Sequence, residues 1–450
     1  MTTAGITHQL AAHVAGLRAQ DFSAATLTAF ERAVLDWAGC TVAGARDAAA
    51  LHASVGSTGV QGEATLLGTP LRGSAAMAAF HNAYACHLLE FDDLHGASIY
   101  HPGAPTISAA FAVAQRMNAS AREFTAAVVG GYELGIRVGE AAGTDHYARF
   151  HTTGTVGALG AAAAAARVMG LGATATRDAI ATAATQAAGL WAFADDGAQS
   201  KPVHPAHAAL VGVVSADVAR AGVTGAARAI EGPGGFFETL GGDPAAPCLT
   251  ETLGEAAPRI EMTTFKAYPC CGHTHTGIEA AAGIAHRLAA EGLSAADIAD
   301  VTIRTYASAV KVAGVRAPQD GAQAAFSYTH AVAWTLIHAS PDGAFETAAL
   351  EDEHVARLRE AVTLIHDPTL DTAYPASLPA RLSVTLLDGR ILQASEDYPT
   401  GSPDKPMDAD SHATKMKLLL GGAAADWQGY VAGLVRSGAP LSDPPRPEGH

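Results

Sequence analysis

The chain has 450 residues, 49% hydrophobic and 16% charged, with a formal net charge of −16 at pH 7. That length and composition suit a globular protein of two or three domains and exclude a disordered chain. The acidic balance argues against nucleic acid as a partner, because its phosphates need clustered Lys and Arg, yet a few cations in a cleft can still hold a small anion. Five cysteines, two of them adjacent (Cys270 and Cys271), read as reduced thiols. The opening "MTTAGITHQLAAHVAGLRAQ" lacks a basic stretch followed by a long apolar one. No secretory leader is therefore predicted, and the cytoplasm is the expected compartment.

Residues 1–255 read as one helix after another. "DFSAATLTAFERAVLDWAGCTVAG" opens on Asp21 and Ser23 as cap candidates, spaces Leu27, Phe30, Val34, Leu35 and Trp37 along one face, and ends at Gly44. "SAAMAAFHNAYACHLLEF", "EFTAAVVGGYELGIRVGEAAG", "TGTVGALGAAAAAARVMGLG", "RDAIATAATQAAGLWAF" and "HPAHAALVGVVSADVARAG" continue the pattern. Their Ala and Gly content predicts close helix–helix approach rather than a membrane span, which needs about 20 strongly apolar residues. The texture changes over 256–403. "ADIADVTIRTYASAV" and "PARLSVTLLDGRILQASEDYP" alternate as strands, with an Asp-Gly hairpin signal, while "HTGIEAAAGIAHRLAAEG" and "FSYTHAVAWTLIHAS" are helical. Residues 404–436 return to helix and are expected to rejoin the first domain; 437–450, rich in Pro and Gly, are expected to fray. The fold class is thus mainly α with an α+β part.

Five stretches concentrate titratable groups. "EFDDLHGASIYHPGAP" holds Glu90, Asp92, Asp93, His95 and His101; "RFHTTGTVGALG" holds His151. "DDGAQSKPVHPAHAA" holds Asp195, Asp196, Lys201, His204 and His207. "FKAYPCCGHTHTGIEAA" holds Lys266, Tyr268, His273 and His275, and "QAAFSYTHAVAW" holds Tyr328 and His330. Each has a plain structural reading. Asp92 or Asp93 could cap a helix, a lone histidine more often satisfies a carbonyl, and the glycines of "GTVGALG" can simply let helices touch. That segment is not GxGxxG and follows no strand, so a dinucleotide loop is not expected. "CCGHTH" lacks zinc-ligand spacing and "HGASIYH" lacks the paired histidines of a zincin helix, so no metal is expected.

The ordered set "EFDDLH…YHPGAP", "GYELGIRVG", "RFHTTGTVGALG", "DDGAQSKPVHPAHAA", "EGPGGFF", "FKAYPCCGHTHTGIEAA" and "AAFSYTH" resembles the MmgE/PrpD family over nearly the whole chain. That family includes 2-methylcitrate dehydratases, cis-aconitate decarboxylases and iminodisuccinate epimerases. The resemblance implies a large all-helical domain, a smaller α+β lid domain inserted before the last helices, and a homodimer. It also implies catalysis on a small di- or tricarboxylate, at the carbon next to a carboxylate, without organic cofactor or metal. Carried over by motif, His101, His151, Lys201, Lys266 and Tyr328 are the catalytic set, and Glu90, Asp93, His95 and His275 bind or orient; His101, His151, Lys201, Lys266, His275 and Tyr328 are expected to line one cleft. The chain has "DDLH" where the family's dehydratase has "NDTW" and its decarboxylases often have "DDTW" or "DDYH", so Leu94 and His95 leave the reaction open.

The residue types fit that chemistry on their own terms. Removing a proton beside a carboxylate builds negative charge on its oxygens, which lysines in a dry site stabilise as it develops. A histidine can take or give the proton near neutral pH, and a nearby carboxylate can orient it or raise its proton affinity. Dehydration is the leading expectation, with epimerisation, decarboxylation and a catalytically silent carboxylate-binding protein as alternatives.

Overall fold

A computed structural model describes residues 5–49, 51–52, 62–196 and 198–445. The fold is mainly helical with a small mixed sheet. It divides into two units, residues 1–265 with 408–450, and residues 266–407.

The first unit is built on helices α1 (Ile6–Gly16), α2 (Ala24–Asp47), α3 (Ala75–Leu88), α4 (Gly103–Met117), α5 (Ala121–Tyr147), α6 (Thr152–Val168), α7 (Ala173–Ala184) and α8 (Val203–Arg220). A short antiparallel pair, β1 (Ala64–Thr65) and β2 (Arg72–Gly73), precedes α3. Ser23 caps α2 by accepting from the Thr26 amide at 3.0 Å, and Ser120 with Glu123 forms a reciprocal capping box on α5. Helix α2 runs past the expected Gly44 to Asp47.

Helix α6 lies at the centre: every residue from Thr152 to Ala166 is buried. Its glycines serve packing. A Cβ on Gly131 of α5 would stand 2.8 Å from the Gly160 carbonyl oxygen, and one on Gly212 of α8 would stand 2.5 Å from the Ala161 Cβ. The three helices therefore meet nearly backbone to backbone, and the core gains its stability from many small contacts. Larger side chains close the flank, with Trp37 tilted on Phe111 at 5.2 Å and Phe30 edge-on to Phe124 at 5.8 Å.

"GYELGIRVG" is structural. Glu133 and Arg137 form a buried pair at 2.6 Å, Arg137 donates to the Cys248 and Glu251 carbonyls, and Glu133 accepts from the Arg259 amide. Both ions are paired and hydrogen-bonded, the condition under which buried ions are tolerated, although Arg137 Nη2 finds no acceptor among the described residues.

The second unit carries a four-stranded sheet in the order β4-β3-β5-β6: β3 (Ile298–Thr305), β4 (Val362–His366), β5 (Ala380–Leu386) and β6 (Ile391–Glu396). Strands β3 and β4 are parallel; the other pairs are antiparallel. The Asp-Gly hairpin forms as its chemistry predicts, with Gly389 at φ 86° between β5 and β6. Helix α9 (His275–Ala290) and helix α10 (Tyr328–His338) share a core with the sheet, built on Ile284, Leu288, Val332, Ile303 and Val384.

Helices α11 (Ala409–Leu420) and α12 (Ala424–Arg436) belong to the first unit. Lys415 of α11 is buried, donates to Asp36 of α2 and to the Phe91 carbonyl at 2.9 Å, and lies over the Phe91 ring. Part of the segment expected to fray is bonded: Ala121 donates to the Ala439 carbonyl and Leu441 to that of Ala119. Residues 446–450 lie outside the described residues. All five cysteines are free, and no described helix is long and apolar enough to cross a membrane.

Candidate active site

The loop from Glu90 to Pro102 joins α3 to α4. It is pinned at its start by Lys415 on the Phe91 carbonyl and further on by Leu94, which pairs with Thr264 through both backbone bonds. His95 and Tyr100 bridge each other, closing a tight turn. Glu90 and Ile99 have φ of 52° and 48°, a left-handed conformation that costs a non-glycine residue about 1–2 kcal/mol. The strain at Glu90 accompanies a buried contact, because its carboxylate accepts from the Lys201 ammonium.

Four groups from this loop and two helix ends meet here. His87, on the last turn of α3, places Nδ1 2.8 Å from Asp92 Oδ2. His101, immediately before α4, places Nδ1 3.4 Å from the same oxygen. The His87 ring lies 4.8 Å from that of His101 and 5.7 Å from that of His151, which immediately precedes α6. His151 Nδ1 is 3.0 Å from His204 Nδ1 on the first turn of α8, with Trp191 and Phe193 edge-on to the His151 ring. The His101 amide donates to Thr153 Oγ1 at 3.2 Å, tying the loop to α6. All four of His87, Asp92, His101 and His151 are buried.

Electrostatics sort these groups. Burial alone would raise the Asp92 carboxyl, but the charges and hydrogen bonds of His87 and His101 hold it well below the usual carboxylate range. Asp92 is therefore ionised, accepts from His87 Nδ1, and faces His101 Nδ1 at 3.4 Å. Burial pushes His151 well below the usual histidine range, and the Lys201 charge pushes it further; His204, lowered first by burial, falls to about 4. Both are neutral at physiological pH.

Asp93 faces a different environment. Its carboxyl accepts from the Tyr132 hydroxyl at 2.7 Å and from the Gly103 amide at 2.9 Å, so it caps α4. Burial and the neighbouring Asp36 charge raise it well above the usual range. His95 bonds Ser98 at 2.9 Å and stands 3.8 Å from Glu140; burial lowers it to about 3.

The first unit thus brings Glu90, His101, His151 and Lys201 into one cluster, while Asp93 and His95 of the same loop engage other partners. A carboxylate in contact with His101 is Asp92, a partner for which the sequence had offered Glu90 or Asp93. His87 and His204 complete the cluster. His204 stands in a stretch marked by its histidines, whereas nothing in the sequence marks His87. The Asp195 and Asp196 side chains lie outside the described residues. Among the described residues, His87, Asp92 and His101 form the group able to hold a metal, with ligand atoms within 4.8 Å of one another.

Lys266, His275 and Tyr328 belong to the second unit, and all three are buried. His275 opens α9 with its ring 5.1 Å from that of Tyr268, and Tyr328 opens α10 against Gly277. Burial raises the Tyr328 phenol, partly offset by Thr276, the Gly277 amide and Thr305.

A cis-aconitate decarboxylase-like protein of Aspergillus oryzae is 28% identical over 442 residues, covering 92% of this chain and 90% of the relative. The human cis-aconitate decarboxylase is 26% identical over 438 residues, covering 93% and 88%. A 2-methylcitrate dehydratase of Cupriavidus necator is 34% identical over 142 residues, 30% of this chain and 29% of that one. The model of the MmgE/PrpD N-terminal domain matches residues 8–248 and that of the MmgE/PrpD C-terminal domain matches residues 268–428. Matched by both domains in order over most of its length, the chain belongs to the MmgE/PrpD family.

Proposed function

We propose that the protein is a lyase acting on a small di- or tricarboxylate by proton transfer at the carbon next to a carboxylate, with no organic cofactor or metal in the reaction. The buried Asp92–His101 contact carries this reading. An ionised Asp92 fixes the His101 proton on Nδ1, which makes Nε2 the basic atom, and stabilises the imidazolium that forms when Nε2 takes a proton. His151, held neutral, is a poor base but a competent hydrogen-bond donor. Lys201 supplies the positive charge that an aci-carboxylate requires. Lys266, His275 and Tyr328 enter by family resemblance, as does a homodimer, while a cytoplasmic location is the expectation from the sequence alone.

The order of reactions to test follows the extent of the alignments. Decarboxylation of a cis-aconitate-like acid comes first, because relatives named for it align over 92% and 93% of the chain. Dehydration of a 2-methylcitrate-like acid comes second, supported by the higher identity of a match covering 30%. Purified protein would be incubated in D2O with cis-aconitate, 2-methylcitrate and other di- and tricarboxylates, and followed by NMR. Loss of CO2 identifies a decarboxylase, loss of water a dehydratase, and exchange of the α-proton alone an epimerase. Absence of all three across the panel would overturn the reading, and activity abolished by EDTA would overturn its metal-free part.

A further inference from the structure

His87 has no place in the roles assigned so far, yet it touches most of the cluster. It is wholly buried in an alanine-rich helix, where an imidazole costs desolvation unless its polar atoms are used. Its Nδ1 meets Asp92 Oδ2 at 2.8 Å, a shorter contact than the 3.4 Å from His101 to the same oxygen. Its Nε2 stands 3.9 Å from Glu90 Oε1, too long for a hydrogen bond.

We propose that His87 is a positioning residue: its Nδ1–H holds Asp92 Oδ2 in place, so that the carboxylate stays aimed at His101 during proton transfer. This rests on the reading of His101 as the proton-transfer group. Two imidazoles then share one carboxylate oxygen. When His101 gains a proton at Nε2, Asp92 stabilises the cation without moving, because His87 already fixes its orientation. No bond to carbon involves His87; it donates the same hydrogen bond before and after the transfer.

The arrangement makes a directional claim. Without the His87 donor, Asp92 holds more charge for His101. That favours protonated His101, so the acid limb of kcat/KM moves to higher pH. The other charged groups facing this cluster are Asp36, balanced by Lys415, and Glu90, balanced by Lys201. Asp93 and His151 are held neutral, as is His204, and burial keeps the Cys40 and Cys86 thiols protonated.

The test compares His87→Leu, His87→Gln and His87→Asn. An Asn amide nitrogen can stand where ring Nδ1 stands, whereas the Gln nitrogen reaches further. Leu and Gln are expected to lower kcat by about tenfold or more, the scale of a hydrogen bond to a charged group, and to shift the acid limb upward. Asn should restore most of both. If His87→Leu does not fold, the Asn and Gln pair carries the comparison. Equal losses in Asn and Gln with an unmoved pH profile would overturn the proposal, as would activity of metal-stripped protein that returns only with added Zn2+. His101→Gln serves as control. If it retains full activity, the proton-transfer reading fails; if it is inactive while the His87 variants behave as wild type, only this inference fails.

Discussion

Asp92→Asn tests the centre of the cluster with almost no change in shape. The wild-type carboxylate oxygen accepts from His87 at 2.8 Å and faces His101 at 3.4 Å. The His101 contact, charge-assisted once His101 is protonated, contributes about 1.5–3 kcal/mol, so losing it removes about that much from the protonated His101 state. At about 1.4 kcal/mol per decade that is a fall in kcat of roughly 10–10²-fold. The Asn amide nitrogen would also confront one Nδ1–H and drive that imidazole to its other tautomer. Turnover and α-proton exchange in D2O measure the effect, and thermal melts at several pH values check the fold. Because the Asp92 carboxyl is lowered in the folded state, its stabilising effect is present above the unfolded pKa of about 3.9 and is lost as pH falls through the folded value. The Tm deficit of Asp92→Asn should therefore be largest near neutrality and shrink below about pH 4. Near-wild-type kcat together with a pH-independent deficit would refute the reasoning.

Three further outcomes follow from the same geometry. His101→Gln should lower kcat by roughly 10²–10⁴-fold and abolish the acid limb of kcat/KM, whereas His151→Gln should keep that limb because His151 is already neutral; unimpaired proton exchange in both would remove the histidines from proton transfer. Asp93→Asn should retain activity, its oxygen still accepting from Gly103 and its amide facing Tyr132. Because burial and Asp36 raise the wild-type carboxyl, wild type loses stability as pH rises through that raised value, so the variant's relative Tm should increase from pH 4 towards 8. Gly131→Ala should destabilise by about 1–3 kcal/mol, read by denaturant melts, because its Cβ would meet Thr106 Cγ2 at 2.4 Å and the Gly160 oxygen at 2.8 Å.

Much of the fold is legible where periodicity is regular. Ser23 marks the start of α2, and strict alternation marks β5, buried at every second residue. Strand β4 was not anticipated. "VTLIH" is four-fifths non-polar or Thr without alternation, only Val362 is fully buried, and it becomes a strand by pairing in parallel with β3. The site was legible as a set of motifs but not as contacts. Asp92 and Asp93 are adjacent and identical in chemistry; what separates them is tertiary, Tyr132 and the α4 amide for one and two imidazoles for the other. His87 was illegible for the same reason. In an alanine-rich helix it reads as a core histidine, and its partner arrives only when the chain turns back five residues later.

The charges of the cluster raise a problem whose solution is itself a prediction. Asp36 is matched by Lys415 and Glu90 by Lys201, Asp93 is held neutral, and Asp92 remains ionised between two imidazoles. Within this cluster the Lys201 charge is thus already engaged by Glu90. A substrate carboxylate that uses Lys201 must compete with Glu90 for it. Glu90→Gln leaves a neutral acceptor in the same place and gives the full ammonium charge to the substrate. KM for a di- or tricarboxylate should then fall several-fold, about 1 kcal/mol of added attraction at a partly screened site, and depend more steeply on ionic strength. Lys201→Met should do the reverse and also destabilise the fold by about 3–5 kcal/mol, because Glu90 would stay buried without that partner. Adding Glu90→Gln to Lys201→Met should recover that stability without recovering affinity. Steady-state kinetics and denaturant melts on the three variants give the answer. A KM that rises in Glu90→Gln would mean that Glu90 holds Lys201 in its working position rather than competing for it, and the competition argument would be wrong.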